Sequence, residues 1–233
     1  MKTGGKKLSD KKLFIFDLDG TLVDSYLAIQ KSLNRTRKEF GFKEIGLKQV
    51  KKAVGKGDKK FIQEFFPPHL EDKSLKIYRK YHKGDLLKYS KTMPYARQLL
   101  RFLKTRNKKI AIASNRPTRF THLIIKKLNI KKYVNYVLCA DRIGELKPDP
   151  EIVFQILQKF NCQPQFAAFI GDMVIDVQTA KNAGIDSIAV TTGSSGLKAL
   201  KDAFPTYIFK NLKQLKDIIV RHYRLKNSNV FKS

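Results

Sequence analysis

Cysteine is scarce in this chain, and the two that occur, Cys139 and Cys162, form no CxxC pair. With no secretion signal in view, that argues against a disulfide framework or a zinc site and leaves buried or half-buried thiols. Long apolar runs are missing too: nothing approaches the roughly 18 uninterrupted residues of a membrane span. The basic N-terminus is followed only by Leu13–Phe16 before acids appear, which is too short for the apolar region of a signal peptide. These absences predict a soluble cytoplasmic protein without a membrane partner. There is no internal repeat and no low-complexity segment.

Acid is also in short supply, with 20 Asp+Glu against 48 Lys+Arg and a formal net charge of +28. Such an excess concentrates anions and favours nucleic acid or acidic surfaces. The lysine pairs, however, run from Lys6-Lys7 to Lys131-Lys132, and no aromatic-interleaved RNA-binding signature goes with them. The charge reads as diffuse solubility with mild anion steering. Dedicated nucleic-acid or acidic-partner binding is the alternative.

What the chain does have is enough apolar material for a core, 42% hydrophobic and 11% aromatic over 233 residues. Its organising stretch is Leu13–Phe16 followed by Asp17-Leu18-Asp19-Gly20-Thr21. The apolar run reads as a buried strand. Two aspartates at i and i+2 then meet a permissive glycine, so both carboxylates can gather at the strand's carboxyl end. An ordinary Asp-Gly turn is the plain alternative.

Helical patterns follow over residues 25–42, 47–54, 59–66 and 71–90, and nothing in 24–90 reads as a strand. From Met93 the rhythm changes to alternation. Strands are expected over 109–113, 136–139, 166–170, 186–190 and, briefly, 207–208, with helices over 95–105, 117–128, 151–160, 173–183 and 212–223. Alternation of this kind means βαβ units and a mainly parallel sheet. The predicted division is an α/β core from 1–22 and 91–225, a small all-helical unit from 23–90, and a tail from 226–233.

Three more polar clusters follow predicted strands, on the same sheet edge as Asp17. Ser114 and Asn115 precede Arg116-Pro117 and a helix start, where free N–H groups suit an anion, although plain capping explains them as well. Lys147 stands before Pro148-Asp149-Pro150, held as a point charge for phosphate or simply one lysine among many. Asp172 and Asp176, after Gly171, share the first turn of a helix by their spacing of four, again with capping as the alternative. Asp172 would repel Asp17 and Asp19, and three carboxylates on one edge call for a hard cation such as Mg²⁺. A carboxylate there can attack phosphorus, its neighbour can move the proton, and lysine and N–H groups can hold the phosphoryl oxygens.

Asp17-Leu18-Asp19-Gly20-Thr21, Ser114-Asn115, Lys147-Pro148 and Gly171-Asp172 with Asp176, in this order, resemble the haloacid dehalogenase-like hydrolase superfamily. The resemblance spans roughly 12–223, and the helical insertion looks like the small cap of the phosphoglycolate phosphatase and β-phosphoglucomutase branch. It implies a three-layer Rossmann-like core with that cap. It makes Asp17 the nucleophile, and Asp19 general acid and base with its carbonyl on Mg²⁺. Asp172 becomes a metal ligand, and Asp176 a ligand or its support. Gly20, Thr21, Ser114, Asn115 and Lys147 hold phosphate.

In the cap loop, Lys56, Gly57 and Lys59 become candidates for reading an acidic substrate group, against a plain solvated loop. The return from the cap reads Met93-Pro94-Tyr95-Ala96, where this branch usually carries Pro-Gly. The implied activity is Mg²⁺-dependent hydrolysis of a small phosphorylated metabolite, phosphoglycolate-like, by a monomer or homodimer. A β-phosphoglucomutase-like mutase, a nucleotidase and a pyrophosphatase are the enzyme alternatives. If the charge is diffuse, DNA or RNA retained at low ionic strength is released by ~100 mM salt; binding that persists there, followed by fluorescence anisotropy, would establish a nucleic-acid partner.

Overall fold

The computed structural model describes residues 7–230. Its centre is a six-stranded, wholly parallel sheet in the order β5-β4-β1-β6-β7-β8. The strands are β1 (Leu13–Phe16), β4 (Lys109–Ser114), β5 (Tyr136–Cys139), β6 (Ala167–Gly171), β7 (Asp186–Val190) and β8 (Tyr207–Phe209). The chain winds outward from β1 through β4 to β5, then restarts on the other side with β6, β7 and β8. β1 therefore lies at the reversal of strand order, where a crevice opens at the carboxyl ends of parallel strands.

Strand side chains alternate between faces, and the core divides accordingly. Phe14 and Phe16 enter one apolar cluster with Leu99, Leu100, Ile124 and Leu215. Leu13 and Ile15 enter another with Ile152, Val153, Ile156 and Ala180. Helices α5 (Ala96–Thr105), α6 (Thr118–Lys127) and α10 (Leu212–Val230) supply the first layer, and α7 (Glu151–Lys159) and α8 (Val174–Asn182) the second. The result is the expected three-layer α/β arrangement.

Between β1 and α5 come α1 (Tyr26–Glu39), α2 (Leu47–Ala53), α3 (Gly57–Gln63) and α4 (Glu71–Tyr89). They bury a cluster of their own, including Ile29, Leu33, Phe61, Ile62 and Tyr78. A two-stranded antiparallel ribbon, β2 (Val23–Asp24) with β3 (Lys91–Thr92), joins their entry to their exit. The sequence pattern gives no sign of this ribbon, because two residues are too few for periodicity to register. It also gives no sign of α9 (Leu197–Asp202). Helix α10 runs to Val230, through much of the expected tail; residues 231–233, and 1–6 of the expected core, lie outside the described residues.

Tyr95 stands at the N-terminal edge of α5 in the left-handed region, with φ 65. This is the return segment that lacks the Pro-Gly pair. A Cβ costs roughly 1–2 kcal/mol in that region, whereas glycine enters freely. Tyr95→Gly is expected to raise stability by up to about 1 kcal/mol, less whatever the larger unfolded-state entropy of glycine takes back, read as a higher urea midpoint.

Candidate active site

Asp17 leaves β1 at its carboxyl end, with its N–H on the Ile170 carbonyl of β6 at 2.8 Å. Gly20 then turns the chain back at φ +84, and its N–H reaches the Val23 carbonyl at 2.8 Å. A Cβ on Gly20 would fall 2.5 Å from Asp172 Oδ2, so only glycine lets this loop pass so close to the acids. Asp172 lies in the bend after β6 and Asp176 in the first turn of α8. The two reach one cluster from a loop and a helix, a correction to the expectation that they share one helical turn.

Oxygens of Asp17, Asp172 and Asp176 lie within 4.8 Å of one another, and all three side chains are buried. Lys147 Nζ bridges Asp17 Oδ1 and Asp176 Oδ1, at 2.7 Å each. Asp172 accepts from Thr21 Oγ1 at 2.8 Å and from the Ser194 N–H at 2.8 Å. Burial pushes the Asp17 carboxyl up to about 7 against the pull of Lys147, with Asp176 and Asp19 adding repulsion. Burial, then Asp17 and Asp176, hold Asp172 well above the usual carboxylate range. Burial opposes the Lys147 charge, but the two aspartates outweigh it and keep the ammonium protonated. One lysine thus faces three buried carboxylates, a donor set of hard oxygens that fits a divalent cation.

Asp19 is held differently. Arg116 forks onto it, Nε to Oδ2 at 2.9 Å and Nη2 to Oδ1 at 2.7 Å, and Ser25 Oγ also donates to Oδ1. Arg116 Nη1 donates to His82 Nε2 at 2.7 Å. That assigns the His82 proton to Nδ1, which faces Ser32 Oγ at 3.1 Å, and Ser32 in turn lies 3.1 Å from Asp85 Oδ2. Burial, and then the charges of Arg116 and Arg119, keep the His82 ring neutral well below its ordinary value.

Other expected site residues have definite places. Ser114 ends β4, and its Oγ accepts the Arg116 N–H at 3.2 Å. Asn115 Nδ2 donates to the Gly55 carbonyl at 2.7 Å, and Oδ1 accepts the Lys147 N–H at 2.9 Å, tying the α2–α3 loop to the Lys147 loop. At the helix start beyond them, Asp141 accepts the Thr118 N–H that opens α6, at 3.0 Å. Asp17, Asp19, Ser114, Asn115, Lys147 and Gly57 line one cavity under the helical unit. Lys56 and Lys59 border an outer groove instead, and Lys56 pairs with Glu64 at 2.6 Å.

Arg116, His82 and the 192–195 loop escape sequence reasoning. Thr192 donates to the Gly20 carbonyl at 2.7 Å, and a Cβ on Gly193 would strike Asp172. The Ser-rich loop after β7 was the one available signal.

A model of the haloacid dehalogenase-like hydrolase family matches residues 14–190, and the chain belongs to that family. Nearer relatives include the phosphoglycolate phosphatase of Aquifex aeolicus, 30% identical over 173 residues that cover 74% of this chain and 81% of that one. Phosphoglycolate phosphatase 1 of Pseudomonas aeruginosa is 25% identical over 213 residues, covering 88% and 78%. A Clostridium acetobutylicum structure described as a predicted phosphatase has a TM-score of 0.80 at 26% identity, covering 91% of this chain and 99% of that chain. A Haemophilus somnus structure described as a predicted phosphoglycolate phosphatase shares the fold, with a TM-score of 0.84 at 23% identity, covering 90% and 98%. Among the described residues no helix is long and apolar enough to cross a membrane.

His82 carries a pH prediction. Its folded value is depressed, so the unfolded chain takes up the extra proton as pH falls below about 6.5 and stability is lost in that direction. Asp17 works oppositely: its raised folded value adds stability as pH falls below about 7. The stability of the native protein relative to His82→Gln is therefore expected to fall by about 1.4 kcal/mol per pH unit below 6.5, in paired urea titrations. A pH-independent difference would show that His82 is charged in the fold.

Proposed function

We propose that this chain is a Mg²⁺-dependent phosphatase that hydrolyses small phosphomonoesters, phosphoglycolate-like in size, through an aspartyl-phosphate on Asp17. The observation that carries this reading is the buried Asp17 carboxylate, with Lys147 at 2.7 Å and two further carboxylates in ligating range at the sheet's switch point. The names of the relatives support the substrate class.

Asp17 attacks phosphorus, and Asp19 gives a proton to the departing ester oxygen and later takes one from water. Lys147, Ser114 and the backbone N–H groups of Leu18 and Asp19 hold the phosphoryl oxygens, while Asn115 braces the wall between them. Asp17 and Asp172, the Asp19 carbonyl and a supporting Asp176 would hold Mg²⁺. The ion would offset the charge of the phosphoryl oxygens and of the carboxylates around it.

Residues 23–90 act as a cap over a core of 1–22 and 91–225, keeping water and bulky polymers from the site. The small phosphorylated substrate is met in the cytoplasm. The mutase, nucleotidase and pyrophosphatase readings would use the same machinery, and no contact in the cavity favours one of them.

Asp17→Asn is expected to lower phosphate release across a phosphomonoester panel by at least about 10³-fold in excess Mg²⁺, and a chelator to silence the native enzyme. Full activity in Asp17→Asn would remove Asp17 as the attacking group.

A further inference from the structure

Arg116 is the one arginine buried among the described residues. Its fork occupies both oxygens of Asp19, and Ser25 adds a donor to Oδ1. Both oxygens of Asp19 thus carry a donor and face a cation, although it is the group that must reach the departing ester oxygen. Something has to displace the guanidinium before Asp19 can act.

The cavity limits what that can be. Its lining residues include two permanent cations, Lys147 and Arg116. Lys147 is committed to Asp17 and Asp176. Lys56 and Lys59, on the neighbouring loop, border the outer groove. The walls around Arg116 are mostly apolar, with Ile29, Val54, Phe61 and Phe120. Lys147 also serves the reacting phosphoryl group, so a second anion entering with a phosphomonoester has Arg116 as the remaining cation of the lining, to be met in exchange for Asp19.

We propose that Arg116 is the receptor for a second anionic group on the substrate, and that this group draws the guanidinium off Asp19 and frees its oxygens for the ester oxygen. The inference rests on the phosphatase reading and narrows it to phosphomonoesters whose leaving group carries a second anion, such as a carboxylate. On the fork one carboxylate replaces another, and the released Asp19, now without its cation, takes up a proton from solvent, which it can pass to the departing ester oxygen. A neutral leaving group offers no such exchange and leaves Asp19 clamped.

His82 is the fixed end of the device. As a neutral acceptor from α4 it keeps Nη1 in place while the other edge of the guanidinium changes partners. Ser32 and Asp85 anchor His82 from α1 and α4, so the release of Asp19 is tied to the seating of the helical unit.

The test compares phosphoglycolate with 2-hydroxyethyl phosphate, which replaces the carboxylate by an alcohol. The native enzyme is expected to favour the acid by about 10- to 100-fold in kcat/KM. Arg116→Met is expected to bring that ratio close to one. If that variant does not fold, Arg116→Gln carries the same expectation. Equal rates on both esters in the native enzyme, or a ratio unchanged in the variant, would overturn the receptor and leave the phosphatase standing.

Calorimetry separates the two ideas. With Mg²⁺ present, Asp17→Asn should bind 3-phosphonopropionate about 10-fold or more tighter than propylphosphonate, and the added Arg116→Met should erase the difference. That result without any ester hydrolysis by the native enzyme would keep the receptor and discard the reaction. No preference between the two phosphonates would discard the receptor.

Discussion

Three carboxylates buried within ligating reach of each other dominate this molecule. In a low-dielectric setting, like charges that close raise one another's proton affinity, and burial raises it further. Lys147 offsets part of that cost by bridging two of them, and Thr21 and the Ser194 N–H offset part at the third. The surrounding structure answers this need. The loop after β7 packs against Asp172 through Gly193, and Gly20 turns beneath it because no side chain fits there. What remains is a negative pocket set for a cation and a phosphoryl group.

A second charged pair, Asp19 with Arg116, lies beside the first and has another character. It is neutral overall and bidentate, and it continues into the helical unit through His82, Ser32 and Asp85. In the proposed reaction the first cluster concerns chemistry at phosphorus, and the second connects that chemistry to the helices above it. Asn115 makes a similar connection on the far side, from the Lys147 loop to the Gly55 carbonyl. The helical unit is therefore joined to the sheet edge by polar contacts at the site itself, besides its two-stranded ribbon.

Legibility in the sequence followed distance along the chain. Leu13–Phe16 could be read because four apolar residues before paired acids form a local pattern. Most of the later strands and helices could be read from the same periodicities to within a residue or two. Arg116 could not, since its meaning comes from a carboxylate 97 residues away and a histidine 34 residues away, in a chain with 48 basic side chains. Lys56 could not be placed for the related reason that abundance hides purpose: it borders the outer groove and pairs with Glu64.

By itself the sequence determined the α/β alternation, the order of the polar clusters, and hence the places of Asp17, Asp19 and Asp172 just past strands and of Lys147 in the loop before α7. These follow from periodicity and from where a strand must stop. Only the tertiary structure decided which acids share a cation-sized space, that Asp19 belongs to Arg116, and that Lys56 and Lys59 face outward. Those are matters of which side chains burial forces together, and burial is a property of the packed layers rather than of any local run.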